Sequence, residues 1–338
     1  MALKSRSFAV ARPNLCLCFL ILGMALLAGC GVKNGDGKFY LISAQVQLPY
    51  WRAAASGFLD AAKQLRLQAE FVGPETYDPK AQQLDFERIV KSKPSGILIS
   101  VANPELMKVD IDAAVAAGIP VITMDADSPN SERLSFIGTD NYLAGVLGAK
   151  VAAKELHGKG NVAVFTIPAM ANLNDRLRGY REIFAAYPGI KITSIVDIGG
   201  SPRVAFSAAE RILSKEKVDA FVCLEAAGGK EVAEALDQHH VPGKTIVAMD
   251  ADDETLEWIK KGLIAATIAQ KPYTMSYIGL AMLNSLHQHP PQPLEQNWKS
   301  TSFAPVPSFV DTGATLVDRS NVDAFIGAQK SANGSHMQ

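Results

Sequence analysis

Val121-Ile122-Thr123-Met124-Asp125-Ala126-Asp127 has a counterpart later in the chain, Ile246-Val247-Ala248-Met249-Asp250-Ala251-Asp252. Each is a short apolar run, rich in β-branched residues, that ends on Met-Asp-Ala-Asp, the pattern of a buried strand closing on polar groups. In open parallel sheets ligands bind outside the carboxyl ends of the strands, so two such ends facing one another would line a shared cleft. A duplicated lobe accounts for the echo. Asp125 and Asp250 are then the strongest binding candidates, while Asp127 and Asp252 either join them or cap the helices that follow.

Outward from these two stretches, apolar runs alternate with segments of helical period, the sign of parallel strands joined by crossover helices. The fold class is therefore α/β. The first half reads as strands at Phe39 to Ser43, Gln68 to Val72, Gly96 to Val101, Val121 to Asp125 and Phe136 to Gly138. Helices run between them from Trp51 to Leu65, from Asp78-Pro79 to about Lys91, and up to about Ala117. The second half begins again at Asn161 to Thr166. Strands follow at Lys191 to Ile198, Ala220 to Leu224, Thr245 to Asp250 and Ala266 to Ala269. Its helices are Arg176 to Tyr187, Val204 to Lys215, Lys230 to His239 and Glu254 to Lys261.

The amino terminus reads differently. Lys4, Arg6 and Arg12 precede an almost wholly apolar run from Leu15 to Ala28, closed by Leu27-Ala28-Gly29-Cys30. That run falls short of the roughly 20 residues that span a bilayer and reads as the core of a signal peptide. The small residues before Cys30 resemble the bacterial lipoprotein signal, which implies lipidation of Cys30, a signal peptide over 1–29 and a tether over 30–37. A plain signal peptide cleaved nearby and a short anchor are the alternatives. Cys16 and Cys18 would leave with the signal, so Cys223 remains as a lone thiol and no intramolecular disulfide is expected.

The 338 residues suit two cores. A formal net charge of -1, with 20% charged residues, gives no long-range attraction for polyanions, which argues against a nucleic-acid partner. No phosphate loop, G-x-S-x-G elbow or H-E-x-x-H motif is present, so neither catalysis nor a metal or other cofactor is expected. His287 and His289, beside Pro290-Pro291, read as exposed loop residues.

In order and spacing, several landmarks together resemble the ribose-type periplasmic sugar-binding proteins, whose fold is shared with the ligand domain of lactose-repressor-like regulators. They are Leu48-Pro49-Tyr50-Trp51, Ile119-Pro120-Val121-Ile122-Thr123-Met124-Asp125, Gly138-Thr139-Asp140-Asn141, Arg176 with Gly179-Tyr180, Ala248-Met249-Asp250, and Ala265-Ala266-Thr267-Ile268-Ala269-Gln270. The resemblance covers about Phe39 to Val317. It implies two doubly wound lobes and a hinge crossed three times. The first lobe would hold 38–139 and 271–303, the second 140–270 and 304–330, with a disordered tail at 331–338.

The resemblance also implies a ligand set. Tyr50 and Trp51 match the stacking aromatics, Asp125 and Asp250 the carboxylates, Arg176 the donor fork and Gln270 the closing amide; Glu225 stands near a position that often holds Asn. A sugar needs these types, because its hydroxyls both donate and accept while its C–H face stacks on an aromatic ring. Read on their own, Tyr50 and Trp51 could be core staples and Arg176 a surface helix residue, and Asn172 and Asn174 either contribute or cap. Ala126 and Gly200 depart from the ribose pattern, whereas Phe71-Val72-Gly73-Pro74 and Asp125-Ala126-Asp127 resemble the rhamnose and autoinducer-2 branch. Asp127 and Glu225 add negative charge that would suit an amino sugar or another cationic solute. The implied partners are a small-molecule ligand, an ABC permease or a membrane sensor, and the membrane itself through Cys30. The implied protein is an exported monomer facing the periplasm or the cell exterior.

Overall fold

The computed structural model describes residues 37–215, 217–290 and 306–335, so the expected signal peptide, Cys30 and nearly all of the tether lie outside the described residues. The chain from Gly37 onward forms two six-stranded sheets. The first takes β1 (Lys38–Ile42), β2 (Gln68–Val72), β3 (Gly96–Ile99), β4 (Val121–Met124) and β5 (Ser135–Gly138). The second takes β6 (Lys159–Thr166), β7 (Gly189–Asp197), β8 (Ala220–Cys223), β9 (Thr245–Met249) and β10 (Ala266–Ala269). Two late strands, β11 (Phe309–Asp311) and β12 (Thr315–Asp318), complete one sheet each. The spatial orders are β2-β1-β3-β4-β5-β11 and β7-β6-β8-β9-β10-β12, the same winding twice. Every pairing is parallel except β10 with β12.

Burial explains the strand sequences. All residues of β3, β4, β8 and β10 are buried, because helices cover both sheet faces, and so they read as unbroken apolar runs rather than alternations. The crossover helices of the first lobe are α1 (Pro49–Leu65), α2 (Pro79–Lys91) and α3 (Pro104–Ala116). Each has Pro in its first turn, where the missing N–H costs no intrahelical bond. Asp78 caps α2 by accepting from the amides of Lys80 and Ala81 at 2.9 and 3.0 Å.

The second lobe is built from α4 (Asn141–Glu155), α5 (Ala171–Ala185), α6 (Pro202–Lys215), α7 (Gly229–Gln238) and α8 (Asp253–Lys261). Asp252 caps α8 through the Thr255 amide at 2.8 Å, so of its two readings the capping one holds. The sequence pattern predicts no element over 141–155, yet α4 is a full helix. Its inner face is Ala144, Gly145, Gly148, Ala149, Ala152 and Ala153, too small to print an amphipathic period.

The chain crosses between sheets after β5, after β10 and after β11. The second crossing sends α9 (Pro272–Gln288) back against α1 in the first lobe. The third crossing differs from expectation. The resemblance implies the second lobe for 304–330, but Phe309–Asp311 pairs with β5 of the first sheet, and the chain crosses only at 312–314. The physical reason is edge pairing: β11 covers the open edge of β5, and the Phe309 ring stacks on Phe136 at 5.3 Å. The expected tail also begins too early, because α10 (Val322–Ser335) runs into it. His287 lies in the last turn of α9 and bonds Ser95 Oγ at 3.2 Å rather than sitting in a loop.

The first and third crossings are bonded to each other. Thr312 donates its amide and its hydroxyl to the Gly138 carbonyl at 2.8 and 3.0 Å, and the Asp140 amide donates to Asp311 Oδ1 at 3.2 Å. Away from this hinge the lobes are closed. Ala126 of the first lobe packs with Ile167, Met170 and Leu173 of the second, and Tyr77 packs against both cores. Gly200, at φ +64°, leaves so little room that a Cβ there would stand 3.1 Å from the Gln45 amide nitrogen and 3.3 Å from Tyr77 Cβ. An aromatic side chain at that position would press on Gln45 and Tyr77 of the facing lobe and strain the left-handed backbone.

Candidate functional site

β4 and β9 end alike. Asp125 and Asp250 both take left-handed backbone, with φ +62° and +66°, a conformation that Asp tolerates better than most residues. Their amides still reach the neighbouring strand, donating to the carbonyls of Ile137 and Ile268 at 3.0 Å each. This turn carries each carboxylate past its sheet edge and into the gap between the lobes.

The first-lobe wall starts at the amino end of α1. Tyr50 and Trp51 stand edge to face, ring centroids 5.0 Å apart, and Trp51 is only 4% exposed. The Tyr50 hydroxyl donates to Asp125 Oδ1 at 2.8 Å, and Ser100 Oγ donates to Oδ2 at 2.9 Å. Burial raises the Asp125 pKa, while the Arg176 guanidinium and these two hydroxyls act the other way. The Tyr50 pKa is pushed well up by burial and by the two aspartates, so Tyr50 remains a hydrogen-bond donor.

The second-lobe wall centres on Arg176, which is 2% exposed and not a surface residue. Its Nε donates to Asn141 Oδ1 at 2.8 Å, Nη1 to the Leu224 carbonyl at 2.6 Å and Nη2 to Gln270 Oε1 at 2.9 Å. Two glycines let α4 and α5 come close enough to hold it there. A Cβ on Gly145 would lie 2.1 Å from the Arg176 carbonyl oxygen, and one on Gly179 would lie 2.4 Å from that of Tyr142. Gln270 then donates its Nε2 to Asp250 Oδ1 at 3.0 Å, so Arg176, Gln270 and Asp250 form one chain of bonds. Glu225, just beyond β8, accepts from the Ala227 amide at 2.9 Å through one oxygen, while its other oxygen is buried with no partner. Burial drives Asp250 and Glu225 each up to about 7; Arg176 lowers both without cancelling it.

These side chains surround one cavity, which in this closed form leaves about 50 Å³ of space open to water. Tyr50, Trp51, Asp125, Arg176, Glu225, Asp250 and Gln270 all line it, so seven of the eight residues singled out from the sequence come together. Asp127 does not. Its carboxylate is held bidentately by Arg133, Nε to Oδ1 at 2.8 Å and Nη2 to Oδ2 at 2.6 Å, and it also accepts from Thr123 Oγ1 and the Ser128 amide. The left-handed turn at Asp125 explains the exclusion: strand alternation would keep residues two apart on one face, but the strand ends at Met124 and the turn sends Asp127 back toward Arg133 of its own lobe. Asn172 lines the cavity, whereas Asn174 is exposed and pins the Pro168 carbonyl.

Sequence reasoning missed Gln45 and Tyr77 in the wall. Tyr77 donates to the Ala102 carbonyl at 2.7 Å and faces Gly200 across the gap. It lies in the loop before the Asp78 cap, where no periodicity marks a residue as inward-facing. The missing aromatic at Gly200 was the available signal, since a cavity that lacks one ring leaves room for another from the facing lobe.

Residues 39–289 match the profile of the periplasmic binding protein domain. The D-allose-binding periplasmic protein of Escherichia coli strain K12 is 24% identical over 258 residues, covering 73% of this chain and 83% of its own. Among solved structures, AraP, an arabinose binding protein from Geobacillus stearothermophilus, is 35% identical with a TM-score of 0.68, covering 86% of this chain and 99% of that one. GanP, a glucose-galactose binding protein from the same organism, is 28% identical with a TM-score of 0.77, over 84% and 98% of the two chains. With its twice-wound α/β lobes and the domain match across most of its length, the chain belongs to the periplasmic binding proteins, a family of receptors rather than enzymes.

Proposed function

We propose that this protein is the exported solute receptor of an ABC-type importer, tethered to a membrane by lipid on Cys30, and that it captures a sugar-like solute between its lobes. One observation carries the reading: a single cavity is walled from both lobes by aromatic rings, carboxylates and the fork of Arg176. In this reading Tyr50 and Trp51 take the apolar C–H face of the solute. Asp125 and Asp250 accept hydroxyl protons. Arg176, held by Asn141 and Gln270, donates to ring or hydroxyl oxygens with the N–H groups its protein partners leave over. The sugars in the names of the relatives support the class, and their variety (allose, arabinose, glucose and galactose) leaves the choice to the residues of this cavity. The leader ending in Leu27-Ala28-Gly29-Cys30 supports the anchor.

Thermal melting against a panel of pentoses, hexoses, deoxysugars and amino sugars tests the receptor reading, since a solute that binds only the folded state raises the Tm. Asp250→Ala and Gln270→Ala are expected to abolish the shift given by the true ligand. A shift that survives in both variants places the site elsewhere. For the anchor, incorporation of labelled fatty acid in cells is expected for the native chain and lost in Cys30→Ser; equal labelling of both refutes it.

A further inference from the structure

The cavity is short of positive charge. Three carboxylates line it, those of Asp125, Glu225 and Asp250, against a single cation, Arg176. No Lys or His contributes to its wall. Arg176 forms no ion pair with any of the three; its bonds run to the neutral oxygens of Asn141, Leu224 and Gln270. Asp125 has both oxygens occupied by hydroxyl donors. The deficit therefore falls on the second-lobe pair. Asp250 has one bond, from Gln270, and Glu225 has one, from the Ala227 amide. Oε1 of Glu225 is the only carboxylate oxygen among the described residues that is buried without a partner; the others of that kind are hydroxyls of Thr139, Thr166 and Ser194.

A buried, unpaired carboxylate is costly, and it is relieved by a proton, a metal ion or an organic cation. A metal ion is disfavoured by geometry: among the described residues no three or more His, Cys, Asp or Glu side chains converge tightly enough to hold one. A proton relieves the empty cavity, which agrees with the upward shift of both acids. A bound ammonium group relieves the filled one better, because it supplies up to three charge-assisted donors to oxygens that are otherwise unmet. The rest of the wall, with two aromatic rings set edge to face and the Gln270 amide, still calls for a ring that bears hydroxyls.

We propose that the cavity selects a hydroxylated ring solute carrying one free protonated amine, an amino sugar in chemical class, whose ammonium group donates to Oε1 of Glu225 and to the Asp250 carboxylate. This rests on the cavity being the binding site and adds the charge of its occupant.

Calorimetric titration of the full-length protein with matched pairs decides the matter: D-glucosamine against D-glucose, D-galactosamine against D-galactose and D-mannosamine against D-mannose, each with its N-acetyl form. In at least one pair the free amine is expected to bind about ten- to a hundredfold more tightly than both the neutral parent and the N-acetyl form, the span of a hydrogen bond made to a charged group. Glu225→Gln should erase most of that preference, and Asp250→Asn serves if the first variant melts at a lower temperature. Neutral sugars that bind as tightly as their amines overturn the inference and leave the receptor reading standing. A diamine such as putrescine that binds where no amino sugar does also overturns it. If neither sugars nor amino sugars bind at millimolar concentration, the receptor reading falls as well.

Discussion

Asp127→Ala is expected to unfold the first lobe more readily without touching recognition. The Arg133 side chain is 8% exposed and that of Asp127 14%, so the pair is nearly dry, and its two bonds at 2.6 and 2.8 Å are both charge-assisted. Removing the carboxylate leaves Arg133 with only the Ser308 carbonyl, at 2.8 Å, and strips Thr123 Oγ1 of its shortest bond. Breaking one side of a buried ion pair costs about 3–5 kcal/mol, because the remaining charge stays desolvated. At about 2–4 °C for each kcal/mol in a chain of this order, the Tm should fall by roughly 6–20 °C. Replacing both partners, as in Asp127→Leu with Arg133→Met, should recover part of the loss, since no charge is then stranded. Melting curves with and without ligand read both quantities. An unchanged Tm accompanied by a lost ligand shift would refute the reasoning and return Asp127 to the binding set.

Gly145→Ala drives a methyl into the backbone of Arg176, 2.1 Å from its carbonyl oxygen. It should cost about 1–3 kcal/mol in chemical denaturation and weaken ligand binding by displacing the guanidinium; native stability and native affinity together would show that the two helices separate freely. The raised acids predict a pH effect of definite sign. Glu225 and Asp250 sit at about 7 in the folded protein, against 4.5 and 3.8 for the free groups, so the native state holds their protons more tightly than the unfolded chain. The stability they contribute is full below about pH 4 and lost as the pH rises through 7. In the absence of ligand, the native protein should lose Tm between pH 5 and 8 relative to the Glu225→Gln, Asp250→Asn double variant; a constant difference between the two refutes the shift.

The strands were legible because both sheet faces are covered, so that Val121–Met124 and Ala220–Cys223 appear as continuous apolar runs. α4 was not, because its packing face is glycine and alanine, and closeness of approach leaves no mark on hydropathy. The cavity residues were legible through their places at strand ends and by resemblance. Asp127 matched by position and missed by direction: a pattern of acids two apart does not say which acid finds an arginine first. Arg133 lies six positions away in an irregular stretch, and only the folded chain brings it to Asp127. The last crossover was misplaced for a similar reason. A three-residue strand such as Phe309–Asp311 owes its existence to the edge it covers, not to its own sequence.

The bonds that tie Thr312 to Gly138 and Asp140 to Asp311 have a mechanical consequence. Two connections bonded side by side act like a strap fixed along its width, which favours bending across its length over torsion. Opening of the lobes is therefore expected to follow one axis, with their faces kept in register for closure. A captured solute thus supplies free energy for a swing about one axis and little for alignment, which keeps the entropic toll of capture small.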